Sequence, residues 1–190
     1  MMVNYMEGVV LMMVSGVRSR TQGMVLCALF AAMTAVLSQV AIPLPLVPIN
    51  MALLAVYLSG GVLGARLGTL SQVVYVCLGA VGLPVFSLFR GGIGILLGPT
   101  GGYIAGYIVA AVVVGFWVEH YGTGFWQLVL GMVIGLALCY ALGTAWFMVV
   151  THNTLTAALG TCVLPFLPGD AVKIALAAIL IPKIRAIVWH

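Results

Sequence analysis

Asp170 and Lys173 stand three residues apart in the run PFLPGDAVK at 165–173, and Asp170 is the only aspartate in the chain. At the start of a helix, residues three apart share a face. Two roles fit the pair. Asp170 can cap the helix while Lys173 snorkels its ammonium to a membrane interface. Alternatively both point into the mouth of a helical bundle, where the carboxylate accepts and the ammonium donates hydrogen bonds to a polar ligand. Ionisable residues at bilayer depth cost about 2.5–3.5 kcal/mol each on insertion scales and tend to be functional.

A second candidate is Arg90, in the segment PVFSLFRGGIGILLGPTGG at 84–102. It can anchor at lipid phosphates, or hold a ligand carboxylate bidentately. Its loop carries six glycines, Phe86 and Phe89. Such an apolar loop does not belong in water. It is expected to fold back over the bundle as the cap or wall of a pocket, with Phe86 in that wall. Gln39 and Asn50 flank the run IPLPLVP at 42–48, a stiff, extended connection. Each is either an interfacial polar residue or a hydrogen-bonding partner for the ligand. Tyr140, Thr144 and Trp146 either wall a pocket or belong to an interfacial aromatic belt.

The elements that hold these residues follow from composition. Only 5% of the 190 residues are charged and 64% are hydrophobic. A soluble domain carries about 25% charged residues, so lipid must be the solvent for most of this surface. Continuously apolar stretches exclude a barrel and leave helices. Six can be drawn, at 22–41, 49–64, 67–83, 101–118, 125–150 and 170–188, making an all-α, polytopic six-helix bundle with an external pocket. The second and third are short and Gly-rich, and are expected to tilt or to sit inside the bundle. Residues 1–190 form one membrane domain, with 1–21 a cytoplasmic or interfacial lead-in. Its charge order, Glu7 before the apolar run and Arg18 and Arg20 after it, is not that of a signal peptide.

Small residues mark helix contacts: Gly60, Gly64 and Gly68, with a turn near Arg66; Gly102 with Gly106; Gly131 with Gly135. In the first span Ala28 pairs with Ala32 and Ala31 with Ala35, for internal packing or for another subunit. Arg18, Arg20, Arg66, Lys183 and Arg185 on one side, against Arg90 and Lys173 on the other, place both termini in the cytoplasm. The scattered basic residues give no nucleic-acid footprint. The four cysteines lack metal spacing and read as core filling. No P-loop, GxSxG, HExxH or carboxylate pair occurs, so no catalytic residue, metal or cofactor is expected.

The runs IPLPLVPIN at 42–50, GLPVFSLFRGGIGILLGPTGGYIAGY at 82–107, YALGTAWF at 140–147 and PFLPGDAVK at 165–173 together resemble the BioY family. Those proteins are biotin-specific substrate-binding (S) components of energy-coupling factor (ECF) transporters. The resemblance spans about residue 22 to the C-terminus. It implies biotin as transported ligand, in a prokaryotic cell membrane, under a roof of the first connection and the loop after the third helix. It matches Asp170, Lys173 and Gln39 to ligand-holding positions and puts Arg90 in the family's F-x-GG loop. The alanine pairs resemble the surface that meets the transmembrane coupling (T) subunit, which works with ATPase subunits. The family often reads VPITLQ where this chain has VPINMA, so Asn50 replaces Thr and Ala52 replaces Gln. Leu88 stands where some members carry a small or polar residue. A stand-alone biotin carrier, an S component for another vitamin and a small membrane enzyme are the competing readings.

Overall fold

A computed structural model describes the backbone of residues 2–43 and 47–189, with side chains from Arg20 onward. The α-helices among the described residues are α1 (Met2–Gln39), α2 (Ala52–Ala80), α3 (Ile93–Leu97), α4 (Gly101–Tyr121), α5 (Phe125–Thr151), α6 (Leu155–Cys162) and α7 (Leu167–Val188). Among the described residues, four helical stretches are long and apolar enough to cross a membrane: 20–39 of α1, then α2, α4 and α5. The fold is therefore that of a mostly helical, multi-pass membrane protein.

The expected six spans differ from these seven helices for identifiable reasons. The second and third merge into α2, whose path breaks at Gly64, with φ 82° and ψ −179°. Glycine reaches that conformation without strain. The chain reverses there, since the Gln72 side chain reaches back to the Ser59 hydroxyl at 3.0 Å. The arm before the break has about 12 residues, or roughly 18 Å of helix, short of a 30 Å hydrocarbon core. That arm is instead enclosed in protein: every residue from Ala52 to Gly64 is buried. Meanwhile α7 carries Asp170, Lys173, Lys183 and Arg185, too many charges to read as a span by composition. The short α3 and α6 lie in the segments 84–100 and 151–169.

Breaking a helix exposes orphan carbonyls on one side and orphan amides on the other. Three side chains from distant elements cap them. Arg185 Nη1 donates to Gly61 O at 3.0 Å, Trp189 Nε1 donates to Val62 O at 2.8 Å, and Glu119 accepts from Ala65 N at 2.8 Å. The cation meets a helix C-terminus and the anion an N-terminus, each the sign the helix dipole favours. Deeper in the hairpin, Gln72 Nε2 lies within hydrogen-bonding reach of Thr34 Oγ1 (3.2 Å) as well as Ser59, tying α1 to both arms.

Glycines allow the close approaches expected of them. A Cβ on Gly60 would stand 2.7 Å from Ala111 O, and one on Gly106 2.6 Å from Cys139 Sγ. The alanine pairs of α1 divide. Ala31 is buried with Tyr75, Phe86 and Ile104, and Ala35 packs beside them. Ala28 and Ala32 face outward, beside exposed Met24, Val25, Leu29 and Val36.

The proline connection closes on a two-residue ladder, β1 (Ala41–Ile42) with β2 (Ile49–Asn50), antiparallel, pairing Ala41 with Asn50. Residues 44–46, including Pro45, lie outside the described residues.

Candidate functional site

The start of α7 sets the site. Phe166, not Asp170, occupies the N-cap position of α7. Asp170 is 2% exposed and Lys173 4%, and Lys173 Nζ meets Asp170 Oδ1 at 2.7 Å. Tyr140 donates its phenolic proton to the other carboxylate oxygen. Of the two readings, capping at the surface and facing inward, the side chains adopt the second. The pair is nearly charge-neutral as a unit, which is what makes its burial tolerable.

Both residues line a cavity that opens to the surface. Its wall mixes apolar groups with phenols: Tyr75, Tyr103 and Tyr107 join Phe86, Tyr140 and Phe166. Tyr103 and Thr144 share a hydrogen bond at 3.1 Å, and the Tyr103 and Tyr140 rings meet edge to face. Cys162 also lines the cavity; burial pushes its thiol above the ordinary range, so it stays a neutral wall group.

The cavity wall continues through segment 84–92. Leu88 and Phe89 have φ of 62° and 56°, a left-handed conformation uncommon for such residues and costing on the order of 1–3 kcal/mol each. Side chains from α1 and β2 hold it. Gln39 Oε1 accepts from Phe89 N at 2.8 Å, and Gln39 Nε2 reaches Phe86 O at 3.2 Å. Asn50 Nδ2 donates to Ser87 Oγ at 2.6 Å. Phe86 and Arg90 close the turn by exchanging backbone hydrogen bonds of 2.9 and 3.2 Å. The Phe86 ring fits because residue 79 is glycine; a Cβ there would stand 2.0 Å from it. Arg90 lines the cavity yet is solvent-exposed. Its guanidinium has no ion pair among the described residues; the Asp170–Lys173 bridge is the one found there.

The structure thus brings Asp170, Lys173, Arg90, Asn50, Phe86 and Tyr140 to one cavity. Gln39 does not line it; that residue grips the backbone of the loop that does. Trp146 serves neither wall nor belt alone, since its Nε1 donates to Gly98 O at 3.0 Å and holds the GPTGG turn. Sequence reasoning passed over Tyr75, Tyr103, Tyr107 and Phe166. Tyr103 and Tyr107 had a readable signal: they lie four apart, directly after GPTGG.

A multi-pass helical protein with a phenol-lined, largely apolar cavity and one buried ion pair belongs, as a class, with proteins that capture small molecules at a membrane. Comparison with known proteins narrows the class. A crystal structure of the S-component for biotin from an ECF-type ABC transporter matches with a TM-score of 0.82 at 26% identity, over 89% of this chain and 93% of that one. The biotin transporter BioY of Thermotoga maritima is 39% identical over 157 residues, 83% of this chain and 92% of its own. The probable biotin transporter BioY of Pyrococcus horikoshii is 39% identical over 160 residues, 84% and 94% respectively. The sequence profile of the BioY family matches residues 2–189. The chain belongs to the BioY family, whose similar members are named as transporters rather than enzymes.

Proposed function

We propose that this protein is the biotin-capturing membrane subunit of an energy-coupling factor uptake transporter. The observation that carries the reading is a cavity whose apolar, phenol-lined wall ends in the buried Asp170–Lys173 pair and has an unpaired guanidinium at its exposed edge. Biotin has a polar ureido ring, an apolar thiophane and valeryl body, and a carboxylate. Asp170 accepts from the ureido N–H groups and Lys173 donates to the ring. Phe86 and Tyr140 pack on the body, and Arg90 takes the carboxylate. Asn50 and Gln39 act through the roof, by fixing the loop that carries Phe86 and Arg90.

In this reading the chain crosses the bilayer six times: α2 supplies two crossings, its short first arm enclosed by protein rather than lipid, and α7 is the crossing that its charges hide from composition. The basic residues Arg20, Arg66, Lys183 and Arg185 face the cytoplasm, and the cavity opens outside. Gln22 Nε2 lies 3.4 Å from Val188 O, so the cytoplasmic start of the first crossing and the end of the last are neighbours. Uphill uptake needs an energy source, and no P-loop is present in the sequence. ATPase subunits supply it through a coupling subunit, which docks on the outward Ala28–Ala32 face of α1. A stand-alone carrier is the rival; uptake by cells expressing this chain alone decides for it.

Thermal unfolding of the detergent-solubilised protein tests the ligand. A ligand at a hundred times its Kd adds about 2.7 kcal/mol, expected here as a rise of roughly 5–10 °C in Tm. A rise with thiamine or riboflavin but none with biotin overturns the specificity. Gln39→Ala is expected to weaken biotin binding about tenfold, the equivalent of a lost hydrogen-bond set. The change should fall on the dissociation rate, because the roof is what loosens. An unchanged dissociation rate refutes the roof-holding role.

A further inference from the structure

Among the described residues, the Tyr57 hydroxyl is a buried phenolic group that takes part in no hydrogen bond. Tyr57 lies on α2 and is fully buried, and its oxygen has no hydrogen-bond partner among the described residues. A buried, unpaired hydroxyl is costly, so one that persists needs a reason. Its position supplies one. Leu53, four residues earlier on α2, lines the cavity, and helical spacing puts Tyr57 on that same face, one turn deeper. It packs in the same cluster as Cys139 and Ile174, the residues next to Tyr140 and Lys173.

Asp170 has two partners, Lys173 on one oxygen and Tyr140 on the other. A carboxylate offers about four acceptor sites. A ligand that draws the carboxylate towards the cavity pulls it off Tyr140 or Lys173, and the oxygen left behind is then short of a donor.

We propose that Tyr57 is a positioning residue for ligand capture, a donor held in reserve behind Asp170. When the ligand turns the carboxylate away from Tyr140 or Lys173, the Tyr57 O–H donates to the oxygen that turns towards α2. The orphan hydroxyl of the empty protein becomes a satisfied one in the complex, and its idle cost becomes a gain on binding. This inference rests on the biotin reading above.

The test is Tyr57→Phe in the full-length protein, with biotin affinity by calorimetry and Tm without ligand. Expected is a three- to tenfold loss of affinity, with the ligand-free Tm unchanged or raised, because an unpaired hydroxyl has been removed. A merely structural tyrosine would lower the ligand-free Tm, and that result overturns the proposal. So does wild-type affinity in the variant. Tyr57→Phe combined with Tyr140→Phe should lose more affinity than the two single losses multiplied, since each phenol covers for the other on one carboxylate. Simple multiplication of the losses counts against a shared acceptor and overturns the reserve role. A wild-type protein that binds no biotin overturns the biotin reading itself, whereas a wild type that binds and a variant that binds equally well remove only Tyr57.

Discussion

Asp170→Ala is expected to lower stability by about 3–5 kcal/mol and to weaken biotin binding by at least about 30-fold. The two losses have different origins. Stability falls because the Lys173 ammonium, 4% exposed, loses the counter-charge that stood 2.7 Å away. Binding falls because the ligand N–H groups lose their acceptor. A double variant separates the two effects. Asp170→Leu with Lys173→Met replaces the pair by apolar side chains, and buried pairs exchanged this way are often neutral or stabilising. Its stability should return to within about 2 kcal/mol of wild type, read as unfolding in detergent. Its biotin binding should not return at all. Recovery of both together would mean that the pair only supports the fold, and would remove Asp170 and Lys173 from the ligand. Wild-type affinity in the single variant would do the same.

That experiment concerns residues the sequence picked out, and the reason they could be picked out is instructive. Charge is so rare in this chain that each charged residue is informative, and Asp170 with Lys173 falls at helical spacing after a PG turn. Apolar runs likewise located α4 and α5, expected at 101–118 and 125–150 and found at Gly101–Tyr121 and Phe125–Thr151. What stayed hidden depended on contacts between distant segments. Gly64 reads as one more small residue in a helix. That it reverses the chain depends on Arg185, Trp189 and Glu119 arriving from α7 and α4 to cap the ends. Gln39 reads as a ligand contact because polar residues at a span end can be one. Only the path of segment 84–92 shows that its amide grips the backbone of Phe86 and Phe89. The tyrosines of the wall look like ordinary membrane aromatics until Asp170 is in place beside Tyr140. Even the alanine pairs of α1 carry the same small-xxx-small pattern, yet Ala31 meets Tyr75 while Ala28 faces out.

Arg90→Gln is expected to weaken biotin binding by about 10- to 100-fold, the worth of a hydrogen bond to a charged group. Charge balance sets this expectation. Asp170 and Lys173 cancel each other, so a carboxylate ligand entering the cavity brings an uncompensated negative charge. Among the lining residues Arg90 is the cation without a partner, and it stands where solvent still reaches. A carboxylate is the end of biotin that leaves water least readily, so it belongs at that edge while the ureido ring goes to the buried pair. Esterification provides the control. Biotin methyl ester should bind wild type more weakly than biotin, and should bind Arg90→Gln about as well as it binds wild type. Arg90→Lys should recover part of the affinity, because an ammonium keeps the charge but loses the planar fork. Raising the ionic strength should erode the acid's advantage over the ester, since an exposed ion pair is screened. If Arg90→Gln instead keeps the wild-type acid-to-ester ratio, Arg90 is not the carboxylate's partner. The remaining cation is Lys173, and the ligand must then lie the other way round, with its carboxylate on the buried pair and its ureido ring under the loop of Phe86.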